Sequence, residues 1–352
     1  MESLLSAFLW KGVSLSTKGA KVAWKQLCFP KSEGGLGIKR LKTWNQAAAI
    51  NHIWTLLTDK ESLWVAWVLK HLLKGRPFWQ VTIPSNPSWI WWKILQAREQ
   101  CRGGFRVKMG NGQNTFLWYD YWLPNGNRPI DILPQRTLSS STLSWTAKPR
   151  VSMSDLVTWH GSSSGRFTIA SAWNFIRSRK AVNIIHKVLW HPLHIPRHSF
   201  MLWLAAQGRL RTSDRLPVTS IDDQNCKLCT NLPESHDHLF FSCSFLSQVW
   251  QLIQDRSHKQ WPALPWHGLL DWTARRYKDA RSIDDFIGPL IFAATVYHVW
   301  QERNSRIFRS NAKSVCNVVD GIFQQIRDLL MNNGGPAISE QIQAIWNLSQ
   351  IA

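Results

Sequence analysis

The stretch CKLCTNLPESHDHLFFSC, residues 226–243, holds three of the six cysteines of the chain. Two residues separate Cys226 from Cys229, eight residues follow before His238, and four more precede Cys243. Three thiolates and one imidazole form a ligand set that tetrahedral Zn²⁺ prefers, and a two-residue gap lets two thiolates face one ion from a tight turn. The stretch therefore predicts one structural Zn²⁺ held by these four side chains.

Alternatives to this zinc site remain open from the residues alone. His236 competes with His238 as the nitrogen ligand, although Leu239-Phe240-Phe241 directly follows His238 and is able to anchor its backbone. Three unrelated thiols are the second alternative. A catalytic zinc is disfavoured, because four protein ligands leave no open position for an activated water. Glu234 does not provide the general acid-base of a zinc deaminase, because the His-x-Glu order is missing.

Upstream of the cysteines, the chain is basic and its cationic residues alternate with aromatic ones. Asp214 is the only acidic residue between positions 177 and 215. Cationic groups with aromatic residues among them suit phosphate-backbone binding combined with base stacking. The alternative is a solvated basic face over core aromatics. The predicted nucleic-acid-binding residues are Arg177, Arg179, Lys180, Lys187, Arg197, Arg209, Arg211 and Arg215, with Trp173, Trp190, Phe200 and Trp203 as the aromatics.

The overall charge of the chain points to the same class of partner. Its 352 residues include 42 Lys and Arg against 22 Asp and Glu, which gives a formal net charge of +20. Such an excess favours polyanions, so RNA or DNA is the expected partner. A membrane is not expected as a partner, because no apolar run approaches the roughly 18–20 residues that a spanning helix needs.

The cysteine usage and the start of the sequence indicate an intracellular protein. Residues 1–10 place Glu2 before a short apolar stretch and have no basic segment there, which is unlike a secretory signal. We therefore expect a location in the nucleus or cytoplasm, where six cysteines do not form a disulfide framework.

Helical periodicity dominates the rest of the chain. Apolar residues recur at three- and four-residue steps over 41–73, with a break predicted at Thr58-Asp59. The same periodicity covers 285–308, where Pro289 is acceptable in a first turn, and 318–331.

Two short β elements are also predicted. One is a hairpin in which 105–109 and 115–119 flank Gly110-Asn111-Gly112. The other is 165–169, with Ser171 capping the helix that follows. The predicted fold is mainly α with small β hairpins, its helical segments placed around a small zinc-binding module.

The zinc-centred stretch resembles the zinc-binding domain that follows the reverse transcriptase in plant LINE-type (non-LTR) retrotransposons. The resemblance is carried most specifically by residues 226–250, and it implies the same four ligands. It extends over nearly the whole chain through VLWHPLHIPRHSFMLWLAAQGRLRTSDRL (188–216), SGRFTIASAW (164–173), FLWKG (8–12), VAWKQLCFPKSEGGLGIKRLKTWN (22–45), FLWYDYWLP (116–124) and VYHVWQERNSRIF (296–308).

The resemblance and the composition together predict four segments. Residues 1–123 would be a post-polymerase connecting region, helical with a terminal hairpin. Residues 124–150, rich in Pro, Ser and Thr, would be a linker. Residues 151–255 would be the reverse-transcriptase-type zinc-binding domain, and residues 256–352 a helical C-terminal region.

The polymerase itself does not carry over from the family. A reverse transcriptase needs an Asp-Asp turn on a strand and a third, distant carboxylate to hold two metals. The Asp pairs are Asp222-Asp223, beside the zinc cysteines, and Asp284-Asp285, at a predicted helix start where carboxylates are favoured. No RNase H or endonuclease set is found either, so the chain is not expected to be an enzyme.

Three hypotheses for function follow. The first is a zinc-containing nucleic-acid-binding part of a LINE-type polyprotein. The second is an accessory part of a reverse transcriptase, which would be its partner and active only with a palm domain in trans. The third is a domesticated protein-interaction factor.

Overall fold

The computed structural model describes residues 1–12, 19–123, 125–132, 153–215, 224–333 and 339–348. The helices are α1 (Glu2–Lys11), α2 (Trp24–Leu27), α3 (Leu41–Thr58), α4 (Leu63–Val68), α5 (Trp89–Cys101), α6 (Pro129–Ile132), α7 (Ile169–Ile176), α8 (His186–Leu189), α9 (Pro196–Ala206), α10 (His236–Leu239), α11 (Ser244–Ser257), α12 (Trp266–Arg276), α13 (Ile283–Arg309), α14 (Val315–Asn333) and α15 (Glu340–Ile345). The strands are β1 (Phe105–Lys108) and β2 (Leu156–Trp159). A π turn (Leu69–Leu73) continues α4. The prediction of a mainly α fold is confirmed.

The chain divides into two compact units. Unit 1 combines Met1–Ile38 with Lys180–Ala352, and unit 2 is Lys39–Arg179. The four predicted segments remain a prediction. The two units are defined by contacts within the fold, and their boundaries do not test where the predicted segments begin and end. Residues 133–150 of the predicted linker lie outside the described residues.

Unit 2 is built around Trp159, which is fully buried at the end of β2. Phe105 and Phe167 approach its ring edge-on, with centroids 5.0 and 5.2 Å away. The backbone passes so close that a Cβ on Gly104 would lie 2.3 Å from the indole ring, and one on Gly161 2.5 Å from it. Helix α3 packs against α5 and α7 over this core.

The predicted hairpin of 105–109 with 115–119 is wrong. Strand β1 instead pairs antiparallel with β2, with Phe105 opposite Trp159. The reason lies in Asp155, whose carboxylate accepts hydrogen bonds from the backbone N–H of Gly110 at 2.7 Å, of Gly112 at 2.9 Å and of Asn114 at 2.9 Å. The glycine segment is thereby folded onto Asp155 rather than closing a hairpin between 105–109 and 115–119.

The second predicted β element, 165–169, is also wrong: residues 165–168 are not in a strand, and a helix begins at Ile169. Thr168 is the N-cap of α7, and its hydroxyl accepts the N–H of Ser171 at 3.0 Å. In the reciprocal hydrogen bond, the Ser171 hydroxyl accepts the Thr168 N–H at 3.1 Å. Ser171 is therefore the third residue of a reciprocal capping box and not the cap itself.

Unit 1 is a helical core centred on α13, which packs against α9 and α14. Ser282 caps this helix in a capping box with Asp285, which confirms the predicted helix start at the Asp284-Asp285 pair. Pro289 is the seventh helical residue, so it lies inside the helix, beyond the first turn in which it would be readily accommodated. The predicted break after Thr58 is confirmed. No helix within the described ranges has the length and apolar character needed to cross a membrane.

Candidate metal centre

Cys226 and Cys229 lie in a short, closed loop. Backbone bonds close it at both ends: the Cys226 N–H donates to the Leu232 carbonyl at 2.8 Å, and the Thr230 N–H donates to the Cys226 carbonyl at 2.7 Å. Thr230 takes a φ of 60°, in the left-handed region, which lets the chain reverse directly after the second cysteine. Both thiols are thus presented from one tight turn.

His238 and Cys243 come from two adjoining helix starts. Ser235 caps the four-residue helix α10, and its hydroxyl accepts the N–H of His238 at 3.0 Å. Cys243 is the N-cap residue of α11. Phe240, fully buried between these starts, anchors the connection in the core of unit 1.

The structure brings the four predicted ligands together. Their ligand atoms all lie within 4.8 Å of one another. The Sγ atoms of Cys226 and Cys243 are 3.8 Å apart, and Cys229 Sγ is 3.3 Å from His238 Nε2. A tetrahedron with Zn–S of about 2.3 Å and Zn–N of about 2.05 Å has edges of roughly 3.8 Å and 3.6 Å. The donor types and their spacing therefore fit one tetrahedral Zn²⁺.

Cys226 and Cys243 contact each other, and their surroundings favour thiolate at Cys226 and a protonated thiol at Cys243. Hydrogen bonds from the Cys243 thiol and from the backbone N–H groups of Leu228 and Cys229 lower the pKa of Cys226 to about 5. The contact with Cys226 and burial raise the pKa of Cys243, although the backbone N–H groups of Leu246 and Phe245, at the start of α11, act in the opposite direction. Negative charge at a helix N-terminus is also stabilised by the helix dipole. Backbone N–H groups that donate to both sulfurs stabilise the negative charge that thiolate ligands carry when they bind a cation.

His236, the competing ligand, lies outside the cluster. Its side chain is buried, with its ring centroid 5.0 Å from that of Phe240 and 5.3 Å from that of Trp266. Burial lowers the pKa of His236, so it remains a neutral core residue at neutral pH. Its packing accounts for its presence in the stretch without a metal.

Two charged residues of α13 support the cysteine loop. The Arg306 guanidinium donates to the carbonyl of Leu228 at 2.9 Å and to that of Lys227 at 3.2 Å, both within the turn between Cys226 and Cys229. Glu302, one helical turn earlier, accepts from Arg306 at 2.7 Å and fixes its orientation. The loop is thereby tied to a helix that begins some forty residues after Cys243.

A second ion pair anchors the other end of the loop. Glu234 is fully buried and accepts from the Arg303 guanidinium at both carboxylate oxygens, at 3.0 Å for Oε2. Its Oε1 also accepts the Ser213 N–H at 2.8 Å. The Glu234 carboxylate therefore has a structural role, since both of its oxygens accept hydrogen bonds from within the core.

Sequence reasoning missed Glu302, Arg303 and Arg306. They stand in VYHVWQERNSRIF, which contributed only to the resemblance. The available signal was an i, i+4 Glu and Arg pair in an otherwise apolar helix, since charged residues on a buried face require partners.

The eight predicted nucleic-acid-binding residues are divided between the two units. Arg177 and Arg179 belong to unit 2, where Arg177 lies over Trp173 with 4.8 Å to the ring centroid. The aromatics Trp173 and Trp203 are buried in their cores. The other six cationic residues belong to unit 1, and all are exposed: Lys180, Lys187, Arg197, Arg209, Arg211 and Arg215.

Some of these six cations have local partners. Lys180 donates to the Gln26 amide oxygen at 2.8 Å, and Lys187 donates to the Lys278 carbonyl at 2.6 Å. Arg215 donates to the Gly208 carbonyl and lies 3.9 Å from the Asp214 carboxylate, an exposed and weak pair. These contacts leave the positive charge at the surface.

Comparison with known proteins agrees with the site. Residues 167–250 match the family model described as zinc-binding in reverse transcriptase. The chain is 25% identical over 351 residues to an Arabidopsis thaliana protein named "Putative ribonuclease H protein", covering 89% of this chain and 56% of that one. It is 29% identical over 129 residues to an "Uncharacterized mitochondrial protein" of Arabidopsis thaliana, covering 35% of this chain and 80% of that one.

The chain thus spans little more than half the length of the first of these relatives. No solved structure matches. The matched segment includes all four clustered ligands and ends at Trp250, before α13 contributes Arg303 and Arg306. Residues 167–250 match the family model for the zinc-binding region of reverse transcriptases, and the predicted resemblance is confirmed.

Proposed function

We propose that the chain is a nucleic-acid-binding, zinc-containing part of a LINE-type reverse transcriptase polyprotein that acts inside the cell, in the nucleus or cytoplasm, and has no catalytic domain of its own. The observation that carries the proposal is the cluster of Cys226, Cys229, His238 and Cys243, with ligand atoms within 4.8 Å, inside the segment that matches the zinc-binding family. The test is a zinc-to-protein ratio near one together with salt-dependent binding of RNA or DNA.

The zinc would be structural. Four protein ligands complete a tetrahedron and leave no position for water, so the ion would hold the 226–243 stretch in shape rather than activate a nucleophile. Zinc held by Cys226, Cys229, His238 and Cys243 would join the cysteine loop to the start of α11. The stretch 226–243 would then be a rigid part of unit 1, the unit that carries the six exposed cations.

The nucleic-acid part of the proposal rests on charge and exposure. The formal net charge of +20 favours a polyanion, and the six exposed cations supply positive charge at the surface of unit 1, which also holds the metal loop. Little sequence preference is expected, because contacts to phosphate position a protein without reading bases.

Reversing Arg209, Arg211 and Arg215 together to Glu is expected to weaken binding to all sequences and to flatten the salt dependence. Each lost phosphate contact should reduce the slope of log affinity against log salt by about one unit. Fluorescence anisotropy with labelled RNA and DNA over a salt series measures both quantities, and the zinc content should not change.

The control reverses three exposed arginines of unit 1 that lie outside the predicted stretch. Arg275, Arg276 and Arg281 provide the same change in net charge. Equal affinity and equal slope in the Arg209, Arg211 and Arg215 variant, with an intact circular dichroism spectrum, would show that this stretch only solubilises the surface. An equal loss in both triple variants would assign the effect to net charge.

The isolated chain is expected to show no polymerase, nuclease or deaminase activity. The closed ligand set and the commitment of Glu234 to Arg303 leave this site without a general base or an open metal position. Primer extension and nuclease assays with rigorously purified protein test this. Templated incorporation by the chain alone would contradict it, and incorporation only with an added palm domain would favour the accessory function.

A further inference from the structure

Unit 2 carries a groove whose lining includes none of residues 226–243. The groove has a volume of about 930 Å³ and runs along α3 and α5. Trp89, at the start of α5, leaves 71% of its surface exposed, and the neighbouring Ile90 leaves 49%. Trp91, by contrast, is buried in the core. Two of these consecutive large apolar side chains are therefore turned to the groove side instead of being packed inside.

The groove combines its aromatic rings with positive charge. Lys93 lies over the Trp92 ring at 4.6 Å from the centroid and over Trp89 at 5.8 Å. Lys42, on α3, also lines the groove and is exposed. The one acidic residue of the lining, Glu99, lies 2.6 Å from Arg102 and 3.4 Å from Arg98, which offset its charge.

Amide side chains complete the lining. Asn45, Gln46 and Gln96 present donors and acceptors of the kind that pair with base edges. Exposed tryptophans stack on bases, while lysines beside them neutralise the phosphates that connect those bases. An acidic protein segment would account for the lysines, and an apolar segment would account for the aromatic rings. A strand of nucleotides accounts for both features and for the amide side chains.

We infer that this groove binds a single-stranded segment of RNA or DNA, with a base stacked on the exposed ring of Trp89 and phosphates paired with Lys42 and Lys93. The inference deepens the proposed function, because it requires that the chain bind nucleic acid. It assigns that binding a second surface, separate in sequence from the basic stretch of unit 1.

Trp89→Ala in the full chain is expected to weaken binding of single-stranded oligo(dT) by on the order of tenfold, while binding of the oligo(dT)·oligo(dA) duplex stays unchanged. The duplex keeps its bases stacked on each other and offers none to the ring. Because stacking releases no counterion, the salt slope should also stay unchanged. Lys42→Gln with Lys93→Gln should instead reduce that slope by about two units.

Trp67→Ala is the matched control. Trp67 also belongs to unit 2 and is 53% exposed, yet it is not part of the groove lining. Lys70→Gln with Lys74→Gln serves in the same way for the two lysines, because both are exposed residues of unit 2 outside the groove lining. Photocrosslinking with 5-iodouracil in place of thymine, followed by mass spectrometry of the peptides, should attach the oligonucleotide to residues 89–93.

The outcomes separate this inference from the proposed function. If the chain binds single strands and Trp89→Ala behaves as Trp67→Ala does, the groove is not the binding surface, and the proposed function stands. If Trp89→Ala weakens single strand and duplex alike, stacking on bases is excluded. If the wild-type chain binds no nucleic acid at any salt concentration, both proposals are wrong.

Discussion

Cys229→Ser is expected to release zinc and to loosen residues 226–243, whereas His236→Ala is expected to retain a full equivalent of the metal. A serine hydroxyl replaces one of three thiolates, and a structural site with an incomplete ligand set loses most of an apparent binding free energy that is about 10–16 kcal/mol in small zinc domains. His236 packs on Phe240 and Trp266 rather than on the cluster, so its loss lowers stability without removing a ligand. Metal content and hydrogen exchange of the stretch measure the two effects.

Cys316→Ser is the control for the chemistry of a lost thiol. Cys316 is exposed and stands outside the cluster, so this variant should keep both its zinc and its exchange pattern. His238→Ala should behave as Cys229→Ser does. A wild-type protein without zinc would contradict the assignment, and so would zinc loss in His236→Ala as complete as in His238→Ala.

The helices were predictable from the sequence because their periodicity and their caps are local. The break after Thr58 and the start of α13 at Ser282 follow from residues within one or two helical turns. Strand pairing was not predictable. The partner of β1 lies about fifty residues away, and the choice depends on one carboxylate, Asp155, that captures the backbone of the glycine turn.

The cluster of sulfur and nitrogen ligands was visible in the sequence because ligand type and spacing are sufficient to predict it. What surrounds it was not visible. The carbonyls of Lys227 and Leu228 find their donor in Arg306, which is 78 residues or more away along the chain. A contact of that range has no local signal, since the sequence shows only an unusual charge on a buried helix.

Arg303→Ala is expected to destabilise unit 1 by about 3–5 kcal/mol, one of the largest effects available to a single substitution here. Glu234 is fully buried, and Arg303 contacts both of its carboxylate oxygens. Removing the guanidinium leaves an uncompensated carboxylate in the core, supported only by donors from Ser213. Thermal and urea denaturation of the zinc-loaded chain measure the loss.

Two further variants distinguish a buried ion pair from an exposed one: a single substitution in an exposed pair, and a double substitution that removes both members of the buried pair. Arg256 and Asp320 form an ion pair of 2.7 Å in the same unit, with 51% and 60% of their side chains exposed. Arg256→Ala should therefore cost about 1 kcal/mol or less. Replacing both members of the buried pair, Arg303→Met with Glu234→Leu, should restore much of the stability lost in Arg303→Ala, because no charge is then left unpaired. If Arg303→Ala costs no more than Arg256→Ala, the carboxylate of Glu234 is not isolated from water, and the buried pair does not anchor the metal loop to α13.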